Sequence, residues 1–129
     1  MINDLPTILF VDDEKSILNS MCRFLRREPC RMLFAESGMD ALAILAEGKV
    51  DILVTDLRMP EMTGLELLEI VSNRFSRILR LVVSATMEKR ERDQVLEKVA
   101  VYEFISKPLN PEEFREILRM AISIVPAGE

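Results

Sequence analysis

Thr7-Ile8-Leu9-Phe10-Val11 is an apolar run cut short by Asp12-Asp13-Glu14, which reads as a buried strand emptying into an acidic loop. The same construction returns along the chain. Met32-Leu33-Phe34-Ala35 predicts a second strand, and Val50-Asp51-Ile52-Leu53-Val54-Thr55 a third that ends on Asp56. Leu81-Val82-Val83 predicts a fourth, ending on Ser84, and Tyr102-Glu103-Phe104-Ile105 a fifth, ending on Ser106-Lys107-Pro108.

Helical periodicity fills the intervals. From Lys15 to Arg27, residues Ile17, Leu18, Met21, Cys22, Phe24 and Leu25 share one face; Arg23, Arg26 and Arg27 gather where a helix dipole favours cations, and Pro29 closes the segment. Ser37-Gly38 turns into a helix carrying Ala41, Leu42, Ile44 and Leu45, which stops at Gly48. After the loop Leu57 to Thr63, Gly64 opens a third helix with Leu65, Leu67, Leu68 and Val71. A polar stretch from Glu88 to Gln94 leads to a weakly apolar fourth helix held by Val95, Leu96 and Val99, expected to be mobile because so little anchors it. The fifth helix, from about Pro111, places Phe114, Ile117, Leu118, Ala121, Ile122 and Val125 at helical spacing. Five apolar strands alternating with five helices predict an α/β fold. It is a doubly wound, five-stranded parallel sheet covered by helices on both faces, a three-layer sandwich whose ligands sit at the carboxyl ends of the strands.

Composition narrows the chemistry. The 129 residues are 49% hydrophobic and 30% charged, enough for one domain with its own core. Cys22 and Cys30 match no metal-type spacing and read as reduced, half-buried thiols. Histidine is absent, which removes Ser-His-Asp and Cys-His catalysis and most zinc hydrolase sites. A net charge of −5 argues against direct binding of nucleic acid or anionic membrane. Met1-Ile2-Asn3-Asp4-Leu5-Pro6 lacks the basic and apolar regions of a signal peptide, and no long apolar run follows, so the chain is expected in the cytoplasm.

Reading off the strand ends brings Asp12, Asp13, Asp56, Ser84 and Lys107 to one rim. Two carboxylates about 4 Å apart repel by about 4 kcal/mol at an effective dielectric near 20, so the cluster must hold a proton or bind a cation. Hard oxygens without His or Cys suit Mg²⁺ or Mn²⁺, ions that expect a phosphoryl group as a further ligand. Lys107 offers a compact positive charge, and the Ser84 hydroxyl a hydrogen bond, to phosphoryl oxygens. Asp56 is the carboxylate placed to act as nucleophile and form an acyl phosphate.

On these residues the chain resembles the receiver domain of bacterial two-component response regulators, the CheY-like members of the flavodoxin-like fold. The match runs from about Thr7 to Val125. It rests on Asp12-Asp13, on Asp56 followed by Met59-Pro60 and Gly64, on Ser84-Ala85 and on Lys107-Pro108, in order. The resemblance implies that Asp56 is the phosphoacceptor and that Asp13, Asp56 and the backbone carbonyl of Arg58 bind Mg²⁺ directly, with Asp12 helping through water. It implies that Lys107 and Ser84 hold the phosphoryl group, and that Ser84 and Phe104 form the switch that responds to it. Arg58 and Thr86 occupy positions that in this family tune hydrolysis of the phosphoryl group. The donor would be a histidine kinase or histidine phosphotransfer protein. The output would be a further domain or a target protein, and the neighbourhood of the fourth helix would dock partners or form a homodimer. Residues 1–125 are then the receiver domain and 126–129 a tail or the start of a linker. Such a domain is not an enzyme beyond its own phosphorylation and slow dephosphorylation.

Other readings fit less of the chain. Asp12 and Asp13 could merely cap the first helix. A phosphatase of the haloacid dehalogenase type needs a second Asp where this chain has Arg58. A flavodoxin-like cofactor site needs a phosphate loop rich in Ser, Thr and Gly where this chain has Asp12-Asp13-Glu14. A degenerate receiver that only docks proteins would not need the full acidic set.

Overall fold

The computed structural model describes residues 5–86 and 88–126. Five strands and five helices alternate: β1 Thr7–Val11, α1 Lys15–Phe24, β2 Arg31–Ala35, α2 Gly38–Leu45, β3 Ile52–Asp56, α3 Gly64–Arg74, β4 Leu79–Ser84, α4 Lys89–Leu96, β5 Glu103–Ser106 and α5 Pro111–Ile124. The strands form one sheet in the order β2-β1-β3-β4-β5, every pair parallel. This is the α/β sandwich that the alternating pattern predicts.

Strand periodicity divides the core in two. Ile8, Phe10, Ile52, Val54, Leu81, Val83 and Ile105 pack with Leu18 and Met21 of α1 and Phe114, Leu118 and Ala121 of α5. Their neighbours one residue along, Leu9, Val11, Leu53 and Val82, pack on the other face with Ala41 and Leu45 of α2, Leu67, Leu68 and Val71 of α3, and Val95 of α4. Because successive side chains of a strand point to opposite faces, a central strand is apolar at consecutive positions through its middle to serve both layers. All five residues of β1 and all five of β3 are buried.

Register then aligns the ends of the strands. Val11 pairs with Thr55, Asp56 with Val83, and Ser84 with Ser106, so the residues that follow these pairs emerge along one edge of the sheet. The chain leaves β1 for β2 on one side and returns to β3 on the other, placing the strand-order switch between Asp12 and Asp56.

Several expectations from sequence need correction. The first helix ends at Phe24, so Arg26 and Arg27 lie in the turn beyond it rather than in its last turn. β4 starts at Leu79, two residues early, while β3 starts at Ile52 and takes in Asp56 itself. β5 starts at Glu103 rather than Tyr102. The charged stretch after Glu88 does not lead to α4 but forms it, and Leu96 is 49% exposed, so Val95 and the following Val99 do the anchoring. The strands are not covered throughout: β2 is an edge strand with Leu33 and Phe34 each 37% exposed, and β5, on the other edge, exposes Glu103 and Ser106. Cys22 and Cys30 are free and half-buried. Met1-Ile2-Asn3-Asp4, and the tail beyond Pro126, lie outside the described residues.

Candidate functional site

Asp12 follows β1 directly and is completely buried, Asp13 is exposed beside it, and Asp56 closes β3 with 6% of its surface accessible. One carboxylate oxygen from each lies within 4.8 Å of the other two. Lys107, one residue past β5, brings its Nζ to 2.9 Å from Asp12 Oδ2, 3.5 Å from Asp56 Oδ2 and 3.7 Å from Glu14 Oε1. Its backbone N–H donates to the Ser84 carbonyl, which fixes the end of β5 against β4. The peptide bond to Pro108 is cis.

The helix-cap reading of the acidic pair does not hold. The residue preceding α1 is Glu14, whose side chain makes no capping bond, and Asp12 instead accepts the Glu14 N–H through Oδ1 in a local turn. Asp12 Oδ2 is fully buried, and among the described residues its close polar partner is the Lys107 ammonium at 2.9 Å. A buried carboxylate oxygen left this way favours a further cation. With three hard carboxylates and no nitrogen or sulfur donor, the residues fit Mg²⁺ or Mn²⁺.

The charges perturb one another in opposite directions. Burial pushes the Asp56 carboxyl above the usual aspartate range; Lys107 draws it back, Asp12 raises it again, and the backbone N–H groups of Arg58 and Leu57 draw it back, leaving a net rise. Burial would lower Lys107, but Asp12, then Asp56 and Glu14, outweigh it and hold the ammonium above the ordinary lysine value. The cluster therefore holds the Lys107 proton tightly and makes the charged form of Asp56 costlier than that of an exposed aspartate.

Gly64 explains how the Asp56 backbone is held. Its N–H donates to the Leu57 carbonyl at 2.8 Å, and a Cβ there would collide with the Asp56 carbonyl and sit 2.6 Å from the Leu57 Cα. Only glycine lets α3 start so close to the strand end. Thr63 and Glu66 complete that start with a reciprocal capping box.

Ser84 is buried, and its hydroxyl donates to the Thr86 carbonyl at 3.0 Å while accepting the Thr86 N–H, so here it serves its own loop. Thr86 in turn donates through Oγ1 to Glu91 Oε1 at 2.9 Å. Glu91 Oε2 meets Arg58 Nη2 at 2.6 Å, and the same Nη2 donates to Thr86 Oγ1 at 3.3 Å. Arg58, Thr86 and Glu91 thus tie the loop after Asp56 to the loop after Ser84 and to the first turn of α4. Glu91 was not evident in the sequence: it sits in a run of charges, and its partner is 33 residues away. Exposed ion pairs contribute at most about 1 kcal/mol, so Glu91→Ala is expected to speed amide exchange in α4 by up to about fivefold. Exchange measured by mass spectrometry checks this; unchanged rates would show that the clasp carries no weight. Phe104 stands apart from this network, half-buried against the apolar layer that includes Val82 and Val95.

The sequence pattern of the response regulator receiver domain matches residues 8–119. This chain belongs to that family. The receiver is 32% identical over 116 residues to the hydrogenase transcriptional regulatory protein HoxA of Cupriavidus necator, covering 90% of this chain and 24% of that protein. It is 33% identical over 108 residues to the response regulator GtcR of Aneurinibacillus migulanus, covering 83% of this chain and 43% of that one. It therefore spans less than half the length of either relative. Among solved structures, the signal receiver domain of an HD domain-containing protein from Pseudomonas fluorescens superimposes with a TM-score of 0.87 at 26% identity, covering 93% of this chain and 96% of that one. The chemotaxis protein CheY4 of Vibrio cholerae gives 0.82 at 26% identity, with 91% and 98% covered. The receiver is thus a CheY-like signalling domain of two-component systems rather than a classical enzyme. Among its described residues no helix is long and apolar enough to cross a membrane.

Proposed function

We propose that this receiver accepts a phosphoryl group on Asp56 from the phosphohistidine of a histidine kinase or histidine phosphotransfer protein, in a Mg²⁺-dependent reaction, and changes conformation to control an output. The observation that carries this reading is the meeting of three carboxylates and one half-buried lysine at aligned strand ends. Asp13, Asp56 and the Arg58 carbonyl would hold the metal, with Asp12 behind them. Bound there, Mg²⁺ would supply positive charge that offsets the crowded carboxylates and lets phosphoryl oxygens approach. Asp56 attacks phosphorus through a carboxylate oxygen, the P–N bond to the donor breaks, and an acyl phosphate forms. Lys107 neutralises a phosphoryl oxygen, and it can do so only by exchanging part of its contact with Asp12 and Asp56. The Ser84 hydroxyl leaves Thr86 to donate to another, which loads the Arg58–Thr86–Glu91 clasp and so reaches α4; Phe104 follows into the space released.

Residues 126–129 we read as a tail or the start of a linker, and the cytoplasm as the place of action. The output is a further domain or a target protein, reached through the α4 neighbourhood or a homodimer, without direct contact of this domain with nucleic acid. The short coverage of HoxA and GtcR, one named a transcriptional regulatory protein, supports an output carried elsewhere. Incubation with acetyl phosphate and Mg²⁺ followed by intact mass tests the chemistry. The expected result is one added phosphoryl group in the parent, none in Asp56→Asn, and none with EDTA; equal labelling of Asp56→Asn would overturn the assignment.

A further inference from the structure

Across the molecule from the acidic rim, the turn after α1 and the outer face of α5 enclose a cleft of about 470 Å³ lined by Arg23, Arg26, Arg27, Arg115, Arg119 and Glu28. It lies at the amino-terminal end of the sheet, because the chain reaches it by running α1 back from the end of β1, and Arg31 just beyond donates to Pro6 ahead of β1. Five of the 17 basic residues of a chain with net charge −5 meet here. Two have structural duties: Arg119 forms a two-pronged pair with Glu28 at 3.0 and 3.1 Å, and Arg115 Nε caps the Phe24 carbonyl at 3.1 Å. Arg23 lies over the Phe24 ring, 5.7 Å from its centre. Among the described residues Arg23, Arg26, Arg27 and Arg115 make no ion pair. Glu28 is already engaged by Arg119, and Glu116 acts on Arg119 only from a distance. The cleft therefore holds positive charge that nothing among the described residues neutralises, and among them no hydrogen bond or ion pair uses the Arg26 or Arg27 side chain.

We propose that this cleft binds a small polyanion carrying two or more phosphates, of the nucleoside di- or triphosphate class. Guanidinium forks match phosphate oxygens in pairs, and the volume lies within the range of about 300–1,000 Å³ typical of small-ligand sites. A concave pocket backed by an acidic molecule favours a compact anion over a long nucleic acid, which would be repelled beyond the arginines. The site is separate from the phosphoacceptor, so its fate does not depend on that assignment.

Calorimetric titration of the whole chain with inorganic triphosphate and with ATP, at low salt with EDTA, tests the proposal. One saturable site for both is expected, weakened about tenfold or more by Arg26→Glu with Arg27→Glu and unchanged by Asp56→Asn. Retained circular dichroism in the double variant ensures that lost binding is not lost folding. Absence of saturation at millimolar ligand, equal affinity in the double variant, or tighter binding of a poly-glutamate peptide than of triphosphate would each overturn it, the last in favour of an acidic protein partner.

Discussion

Lys107→Met is expected to be the most damaging single substitution near the strand ends, even though it adds no bulk. Lys107 is the cation within reach of Asp12 and Asp56, and its side chain is only 11% exposed against 0% and 8% for theirs. Removing one partner of a buried ion pair leaves the other charge without compensation and costs about 3–5 kcal/mol. For a chain of this length that lowers Tm by roughly 10 °C or more. The loss should shrink at low pH, where protonation of the carboxylates relieves the repulsion, and on adding Mg²⁺, which substitutes one cation for another. Thermal unfolding of the variant at neutral and acid pH, with and without Mg²⁺, checks both. A Tm within a degree or two of the parent at neutral pH without metal would mean that water already screens the cluster. The lysine's own linkage has the complementary sign. Its folded value is raised, so the stability it contributes is fully present below its unfolded pKa and fades as pH rises through the folded one.

How much of this was legible beforehand follows from what each residue responds to. Asp12, Asp13, Asp56, Ser84 and Lys107 could be placed together because buried parallel strands are continuous apolar runs. The polar residue that ends each run marks the same edge of the sheet. The residue type at a strand end is thus a spatial coordinate. The start of the fourth helix escapes the sequence for the converse reason: Lys89-Arg90-Glu91-Arg92-Asp93-Gln94 carries no apolar periodicity. Its helicity comes from position, with Val95 buried as its main anchor. The exposure of Leu33 and Phe34 depends on β2 being an edge, a property of strand order rather than of the strand. Side-chain direction was equally hidden. Nothing local says that the Ser84 hydroxyl turns to Thr86, or that Arg58 reaches across to Glu91, since both depend on how two loops fold against each other. Gly64 stood out as a motif residue, but its reason, the approach of α3 to the Asp56 carbonyl, exists only in three dimensions.

Asp56→Asn should change stability in the direction opposite to Lys107→Met. In the folded protein the Asp56 carboxyl is raised, chiefly by burial, so the native state binds its proton more tightly than the unfolded chain does. Stability therefore falls as pH climbs from the unfolded aspartate value through the raised folded one, and the deficit persists at neutral pH. Asparagine keeps the shape and removes the charge, so the metal-free variant should unfold at a higher temperature than the parent at pH 7, with the difference closing in acid. Magnesium should reverse the ranking. For the parent, an ion present at one hundred times its dissociation constant adds about 2.7 kcal/mol, whereas the variant has lost one of three carboxylates and should gain far less. Paired unfolding curves of parent and variant, each with and without Mg²⁺, separate the two effects. If the metal stabilises both proteins equally, Asp56 is not among its ligands. If the metal-free variant is no more stable than the parent, the charge on Asp56 is already balanced by Lys107, and the incoming cation has less to offset than the buried carboxylates imply.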